Sequence, residues 1–180
     1  MIQLRDKSLS PRHLLPQARE IATLCRDRAV PFIVNDRLDL ALAAWADGVH
    51  LGQDDLPPRV ARAVLGSEKL LGVSTHSLDQ AIQAAEHGAD YLGIGPIFAT
   101  STKATGYEPL GCEVIRQLHA RIDLPLIAIG GITLDNVGEV ICSGATGVAV
   151  ISAVVGTQDV ALATKGFLAA ILEAKRGPTI

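Results

Sequence analysis

Residues 31–55 read PFIVNDRLDLALAAWADGVHLGQDD. Phe32, Ile33 and Val34 form a short unbroken apolar run after Pro31, the pattern of a strand buried on both faces. The run stops at Asn35 and Asp36. RLDLALAAWA (37–46) reads as a helix, and GVHLG (48–52) reads as a second buried strand that again ends in polar residues, Gln53, Asp54 and Asp55. Apolar strands separated by single helices imply a parallel sheet covered on both faces.

The same alternation extends in both directions. Upstream, IQLR is a short strand, followed by a helix over SPRHLLPQAREIATLCRDRA with Ser10 at its N-cap, Pro11 at its first position and Leu14, Leu15, Ala18, Ile21, Ala22 and Cys25 on one face. Downstream come PPRVARAVLG (helix), LLGVST (strand), SLDQAIQAAEHG (helix ending on Gly88) and YLGIGPIF (strand). GCEVIRQLHARI (helix), PLIAIGG (strand) and TLDNVGEVICSG (helix capped at Thr133 and Gly144) follow, then GVAVIS (strand) and DVALATKGFLAAILEAKR (helix). Six strands and the initial stub fit either a (β/α)8 barrel or an open doubly wound sheet, in a chain whose 180 residues suit one domain.

Composition excludes several function classes. A net charge of -3 with no run of Lys or Arg gives no footprint for nucleic acid. No stretch is long and uncharged enough to span a bilayer, and MIQLRDKSLSPRH lacks a secretory apolar core, so a cytoplasmic protein is expected. The three cysteines, Cys25, Cys112 and Cys142, form no CxxC pair and read as reduced packing residues.

Parallel sheets gather ligands at the carboxyl ends of their strands. Here those ends carry Gln3, Arg5 and Lys7; Asn35 and Asp36; Gln53, Asp54 and Asp55; Ser74 and Thr75; Thr100, Ser101, Thr102 and Lys103; Gly130 and Gly131; and Ile151 with Ser152. Asp36 and Asp55, on consecutive strands, suit a Mg2+ ion, which is typically held by one or two carboxylates plus substrate phosphate oxygens. Aspartates also cap helices, and that reading stays open. Arg5, Lys7 and Lys103 at the same rim suit a diphosphate that shares the metal. The small residues of AIGG and AVIS suit a second phosphate or, equally, tight turns. His50 reads as a packed core histidine, and His76 either caps the next helix or faces the site.

QLRDK, VNDRLDLALAAWADGVHLGQDDLP, GVSTHS, ADYLGIGPIFATSTK, IAIGGI and GVAVISA, in this order, closely resemble the thiamine-phosphate synthase family over essentially the whole chain. The resemblance implies a (β/α)8 barrel that joins hydroxymethylpyrimidine diphosphate to a thiazole phosphate carboxylate, giving thiamine phosphate and pyrophosphate. It implies that Gln3, Arg5, Lys7, Asn35, Ser74 and Lys103 hold the pyrimidine diphosphate, with Arg5, Lys7 and Lys103 stabilising the leaving group. Asp36 and Asp55 would bind one Mg2+ per site, leaving Asp54 a neighbour. Thr100, Ser101, Thr102, Gly130, Ile151 and Ser152 would hold the thiazole phosphate.

Family members carry a strand and helix before the QLR strand, whereas Met1 here stands directly against Ile2 and Gln3. The expectation is therefore a barrel lacking its first strand and helix, through a misassigned start codon or truncation. Its open edge would be covered by strand exchange or a homo-oligomer. A related thiazole tautomerase needs no diphosphate or metal groups, and the retained Asp36, Asp55, Arg5, Lys7 and Lys103 argue against it. A ligand-binding homologue without catalysis is the third reading.

Overall fold

The computed structural model describes residues 1–100 and 106–176. In chain order the elements are β1 (Ile2–Leu4), α1 (Pro11–Arg26), β2 (Phe32–Asn35), α2 (Leu38–Ala43), β3 (Gly48–Leu51), α3 (Pro58–Leu65), β4 (Leu70–Thr75) and α4 (Leu78–Glu86). They continue with β5 (Tyr91–Ile94), α5 (Glu113–His119), β6 (Leu126–Ile129), α6 (Val137–Cys142), β7 (Gly147–Ala149), α7 (Ser152–Val155) and α8 (Val160–Arg176). The architecture is α/β, with parallel strands in sequence order. All seven expected strands are present.

The chain forms two compact units. The first comprises Met1–Ser74 with Ala84–Asp90, and the second Thr75–Gln83 with the residues from Tyr91 onward. In the first, β1 pairs with β2, β2 with β3 and β3 with β4, all parallel. In the second, β5 pairs with β6 and β6 with β7, also parallel. Parallel strands covered on both faces need continuous apolar runs, and Phe32, Ile33, Val34, Val49, Leu51, Leu71 and Val73 are accordingly almost wholly buried in the first unit. Leu92, Ile94, Leu126 and Ala128 do the same in the second. Each of these Val, Leu, Ile and Phe side chains contributes roughly 1.5–3 kcal/mol by leaving water.

One device recurs at the amino ends of the strands. The residue just before β3, Asp47, accepts the Phe32 N–H on its carboxylate at 2.7 Å while its own N–H donates to the Phe32 carbonyl at 2.8 Å. Before β5, Asp90 does the same to Leu71, at 2.6 and 2.8 Å. Before β7, Thr146 repeats it on Leu126 with its hydroxyl, at 3.1 and 2.8 Å. Each pair of bonds joins a residue at the start of one strand to a later residue of the chain through both its N–H and its carbonyl, and within a unit such bonds help to set the register that decides which side chains face the core.

The structure departs from the sequence expectations at several points. β7 stops at Ala149, and Ser152 opens a short helix instead of finishing the strand. α6 begins at Val137, because residues 134–136 form a turn in which Asn136 Oδ1 accepts the Thr133 N–H at 2.8 Å. Cys25 and Cys112 are buried and free, as packing residues should be, but the free Cys142 is exposed and does not fill that role. No described helix is long and apolar enough to cross a membrane.

Candidate active site

In the first unit the polar strand ends converge. Asp36 follows β2 directly, and its N–H donates to the His50 carbonyl at 2.8 Å, one bond beyond the ladder. The Arg37 N–H then closes back on the Asn35 carbonyl at 2.7 Å, making a γ-turn centred on Asp36 at φ 63°. Positive φ at the centre of such a turn is the rare and strained sense. Strain of this kind persists where the surroundings hold it, and such places cluster at functional sites.

Asp55 reaches the same place from a tight turn after β3. Its carboxylate accepts the Gly52 N–H at 2.7 Å, while its own N–H returns to the Gly52 carbonyl. Burial raises the pKa of Asp55 above the ordinary carboxylate value, and a hydrogen bond to and the charge of the Asp36 carboxylate raise it further, against the lowering pull of the Gly52 N–H and Lys7. The Asp36 carboxylate is therefore near enough to act on that of Asp55, and two such charges side by side disfavour each other's ionisation. Lys7 Nζ lies 3.2 Å from Asp36 Oδ2. Asp36 and Asp55 line a groove of about 540 Å³ whose remaining wall includes Leu42, Leu56 and Val64.

Lys7 is brought there by the turn that follows β1. Asp6 accepts the N–H groups of Ser8 and Leu9 at 2.7 Å each, and these bonds, with that of the Ser8 hydroxyl, hold its carboxyl below the usual carboxylate range. Asp6 is thus consumed by the turn, while Gln3, Arg5 and Lys7 remain exposed. Asp54 is exposed as well and stands outside the carboxylate pair. Asn35 ends β2 beside the turn.

Ser74 is gripped by β3 and the loop after it. Gln53 Nε2 donates to the Ser74 carbonyl at 2.6 Å, and His50 Nε2 lies 2.8 Å from Ser74 Oγ. His50 is buried, as its apolar strand suggested, but it touches a residue of the expected site. Its ladder partner is Gly72, which places Ser74, two residues later, on the same face as the His50 ring. Only the register between the two strands reveals this, so sequence reading missed it.

In the second unit, the Thr75 hydroxyl is buried and donates to the Gly93 carbonyl at 3.1 Å. The His76 N–H donates to Gln80 Oε1, its Nδ1 bonds the Gly95 carbonyl at 2.5 Å, and its ring stacks on Tyr107 at 3.8 Å between centroids. Gly130 and Gly131 have φ of 95° and 64°. A Cβ at Gly130 would lie 2.6 Å from Pro96 Cβ, and one at Gly131 would lie 2.4 Å from the Ala99 carbonyl oxygen. Close backbone packing therefore accounts for this glycine pair. Phe98 N–H donates to the Gly130 carbonyl, which fixes the segment that leads into Thr100. Ile151 is exposed at the start of α7, and Ser152 is its first residue. Ser101, Thr102 and Lys103 lie outside the described residues.

Comparison with known proteins places the chain in a family. Residues 1–154 match the family described as thiamine monophosphate synthase. The chain belongs to that family. It is 54% identical over 164 residues to a thiamine-phosphate synthase of Moorella thermoacetica, covering 91% of this chain and 78% of that one. It is 47% identical over 176 residues to the thiamine-phosphate synthase of Shouchella clausii, covering 98% and 84%. Its structure superposes on thiamine phosphate pyrophosphorylase from Pyrococcus furiosus with a TM-score of 0.90 at 39% identity, covering 96% of this chain and 83% of that one.

Proposed function

We propose that the chain is a thiamine-phosphate synthase on a (β/α)8-type scaffold, acting in the cytoplasm on small phosphorylated substrates. It would join hydroxymethylpyrimidine diphosphate to a thiazole phosphate carboxylate, forming thiamine phosphate and pyrophosphate, with the carboxyl group leaving as carbon dioxide. The observation that carries this reading is that Asp36 and Asp55 line one groove, with Lys7 Nζ 3.2 Å from Asp36, in a chain of that family.

The carboxylate pair fits a hard divalent cation. Among the described residues no group of three or more His, Cys, Asp or Glu side chains gathers as a metal cage. Two adjoining carboxylates, one with a raised pKa, are the donor set that Mg2+ accepts when substrate oxygens and water complete its shell. Asp36 and Asp55 would hold the ion, which when bound neutralises charge on the diphosphate oxygens. Asp54 is exposed and would not contribute.

The chemistry asks for positioning and charge stabilisation more than for a base. The bond from the pyrimidine methylene to the diphosphate oxygen breaks, the electron pair leaves with pyrophosphate, and the thiazole nitrogen forms the new bond to the methylene carbon. Arg5 and Lys7, with Lys103, would meet the charge that grows on the leaving group, and Gln3, Asn35 and Ser74 would orient the pyrimidine diphosphate. Thr100, Ser101 and Thr102, with Gly130, Ile151 and Ser152, would hold the thiazole phosphate. Held together, two substrates gain what two dilute solutes lack.

The test is direct. The purified chain is incubated with both substrates and Mg2+, and pyrophosphate and thiamine phosphate are measured with and without EDTA. Equal amounts of both products, abolished by EDTA, are expected. Isomerisation of the thiazole without pyrophosphate would instead make it a tautomerase, and binding without turnover a ligand-binding homologue.

A further inference from the structure

Ser74 is held twice by groups that the reaction as described does not use. Gln53 fixes its carbonyl at 2.6 Å, and His50 Nε2 stands 2.8 Å from its hydroxyl oxygen. The His50 side is fixed too, since its residue is 8% exposed and its carbonyl accepts the Asp36 N–H at 2.8 Å. Two neighbouring strand ends therefore aim one hydroxyl. Such a construction exceeds what packing a serine requires.

A serine hydroxyl has one proton to give. If Ser74 gave it to His50 Nε2, its oxygen would face a diphosphate with lone pairs only, and two acceptors would repel. If Nε2 carries the hydrogen and donates to Ser74 Oγ, the hydroxyl proton is released toward a phosphate oxygen. The two arrangements share one heavy-atom geometry and differ in tautomer.

We propose that His50 is a positioning residue of the reaction, holding its proton on Nε2 and donating to Ser74 Oγ so that the Ser74 hydroxyl points at the leaving diphosphate. This rests on the reading of Ser74 as a diphosphate ligand. Charge on the diphosphate grows as the methylene bond breaks, so a correctly aimed donor is worth more in the transition state than in the bound substrate. Misaiming it lowers kcat and leaves the KM for the thiazole phosphate in place. His50 touches no reacting atom and acts through Ser74.

The experiment compares His50→Asn and His50→Gln, each alone and on a Ser74→Ala background, with rates expressed per folded molecule. A glutamine amide reaches the position of Nε2 and can donate there, whereas an asparagine amide stops short at the position of Nδ1. His50→Asn is expected to lower kcat about tenfold, less than the full loss of one transition-state donor, and His50→Gln to recover most of that loss. On the Ser74→Ala background the two should turn over at the same rate, because the hydroxyl they aim is gone. Equal losses in the two single variants, or losses that multiply with Ser74→Ala, overturn the proposal. Ser74→Ala by itself checks the underlying reading. Unchanged kcat and unchanged KM for the pyrimidine diphosphate would remove Ser74 as a ligand and the inference with it, whereas an active-site loss in Ser74→Ala with none in either His50 variant would remove the inference alone.

Discussion

Aspartates stand at both ends of the strands in the first unit, and they do opposite things. Outside the carboxyl ends, Asp47 before β3 accepts the Phe32 N–H and Asp90 accepts the Leu71 N–H and pairs with Arg62. At the carboxyl ends, Asp36 and Asp55 line one groove, one on a strained turn and the other with a raised pKa. The residue type is the same, and what satisfies its charge differs. A carboxylate taken up by the backbone of the next strand holds the fold, whereas two neighbouring carboxylates with one exposed lysine beside them leave excess negative charge for a further cation.

The largest expected effect lies at the carboxyl end. Asp36→Asn should lower kcat by at least about 100-fold while the melting temperature stays level or rises, because one of two repelling carboxylates is gone. Asparagine isolates the charge, since it tolerates positive φ where alanine would strain the turn. Steady-state kinetics beside a thermal melt measure both halves. A loss of stability without loss of activity would make the two ends of the strands equivalent and erase the contrast.

Asp90→Ala should give the mirror image. It strips the Leu71 N–H of its acceptor and leaves the Arg62 guanidinium without its carboxylate, although that arginine also donates to the Gly66, Lys69 and Gly88 carbonyls. Because the pair is partly exposed, a loss of about 2 kcal/mol is expected in urea unfolding, with kcat per folded molecule retained. Asp47→Ala removes one bond of the same kind, from Phe32, and should cost less.

How much of this contrast could be read in the sequence follows from the same residues. The unit from β2 to β3 was legible because Phe32, Ile33 and Val34 have no polar face and only a doubly covered strand accepts that. Strand order alone accounts for Asp36, which follows β2 directly, but Asp55 lies beyond the end of β3 and reaches the groove through its turn on Gly52. The γ-turn at Asp36 was not legible, because aspartate carries no mark of its φ. His50 looked like core because one histidine between valine and leucine is core in most strands, and only the ladder register to Gly72 sets it against Ser74. The glycine pair at 130 and 131 admitted a phosphate or a tight contact, and the distances to Pro96 and Ala99 supply the contact. GVAVIS ran on as a strand because nothing in its apolar residues signals that β7 ends at Ala149.

A shallower effect should appear with pH. The folded-state pKa of Asp55 is raised, first by burial and then by Asp36, so between 3.8 and that higher value the folded protein binds more protons than the unfolded chain. The slope of stability with pH is negative there. In EDTA this contribution is therefore fully favourable below 3.8 and is lost as pH rises through the folded value. Comparing wild type with Asp55→Asn across that window isolates it, since the variant should lack the fall. Added Mg2+ should restore stability above the window if the ion binds the ionised pair.

The smallest effect is expected at an aspartate that sits at the same rim and looks equally engaged. Asp39 pairs with Arg37 at 2.5 Å, one residue from Asp36, and its carboxyl is held below the usual range chiefly by that hydrogen bond. Yet both side chains are largely in water, at 65% and 40% exposure, where the charges are screened and two long side chains lose freedom to meet. Asp39→Asn should change stability by no more than about 0.5 kcal/mol and leave kcat within about twofold. An effect on kcat approaching that of Asp36→Asn would mean that the neighbourhood of the turn, and not the facing of two carboxylates, is what matters. Proximity in the chain would then outrank convergence in space, and the contrast between the two strand ends would need to be redrawn around Arg37.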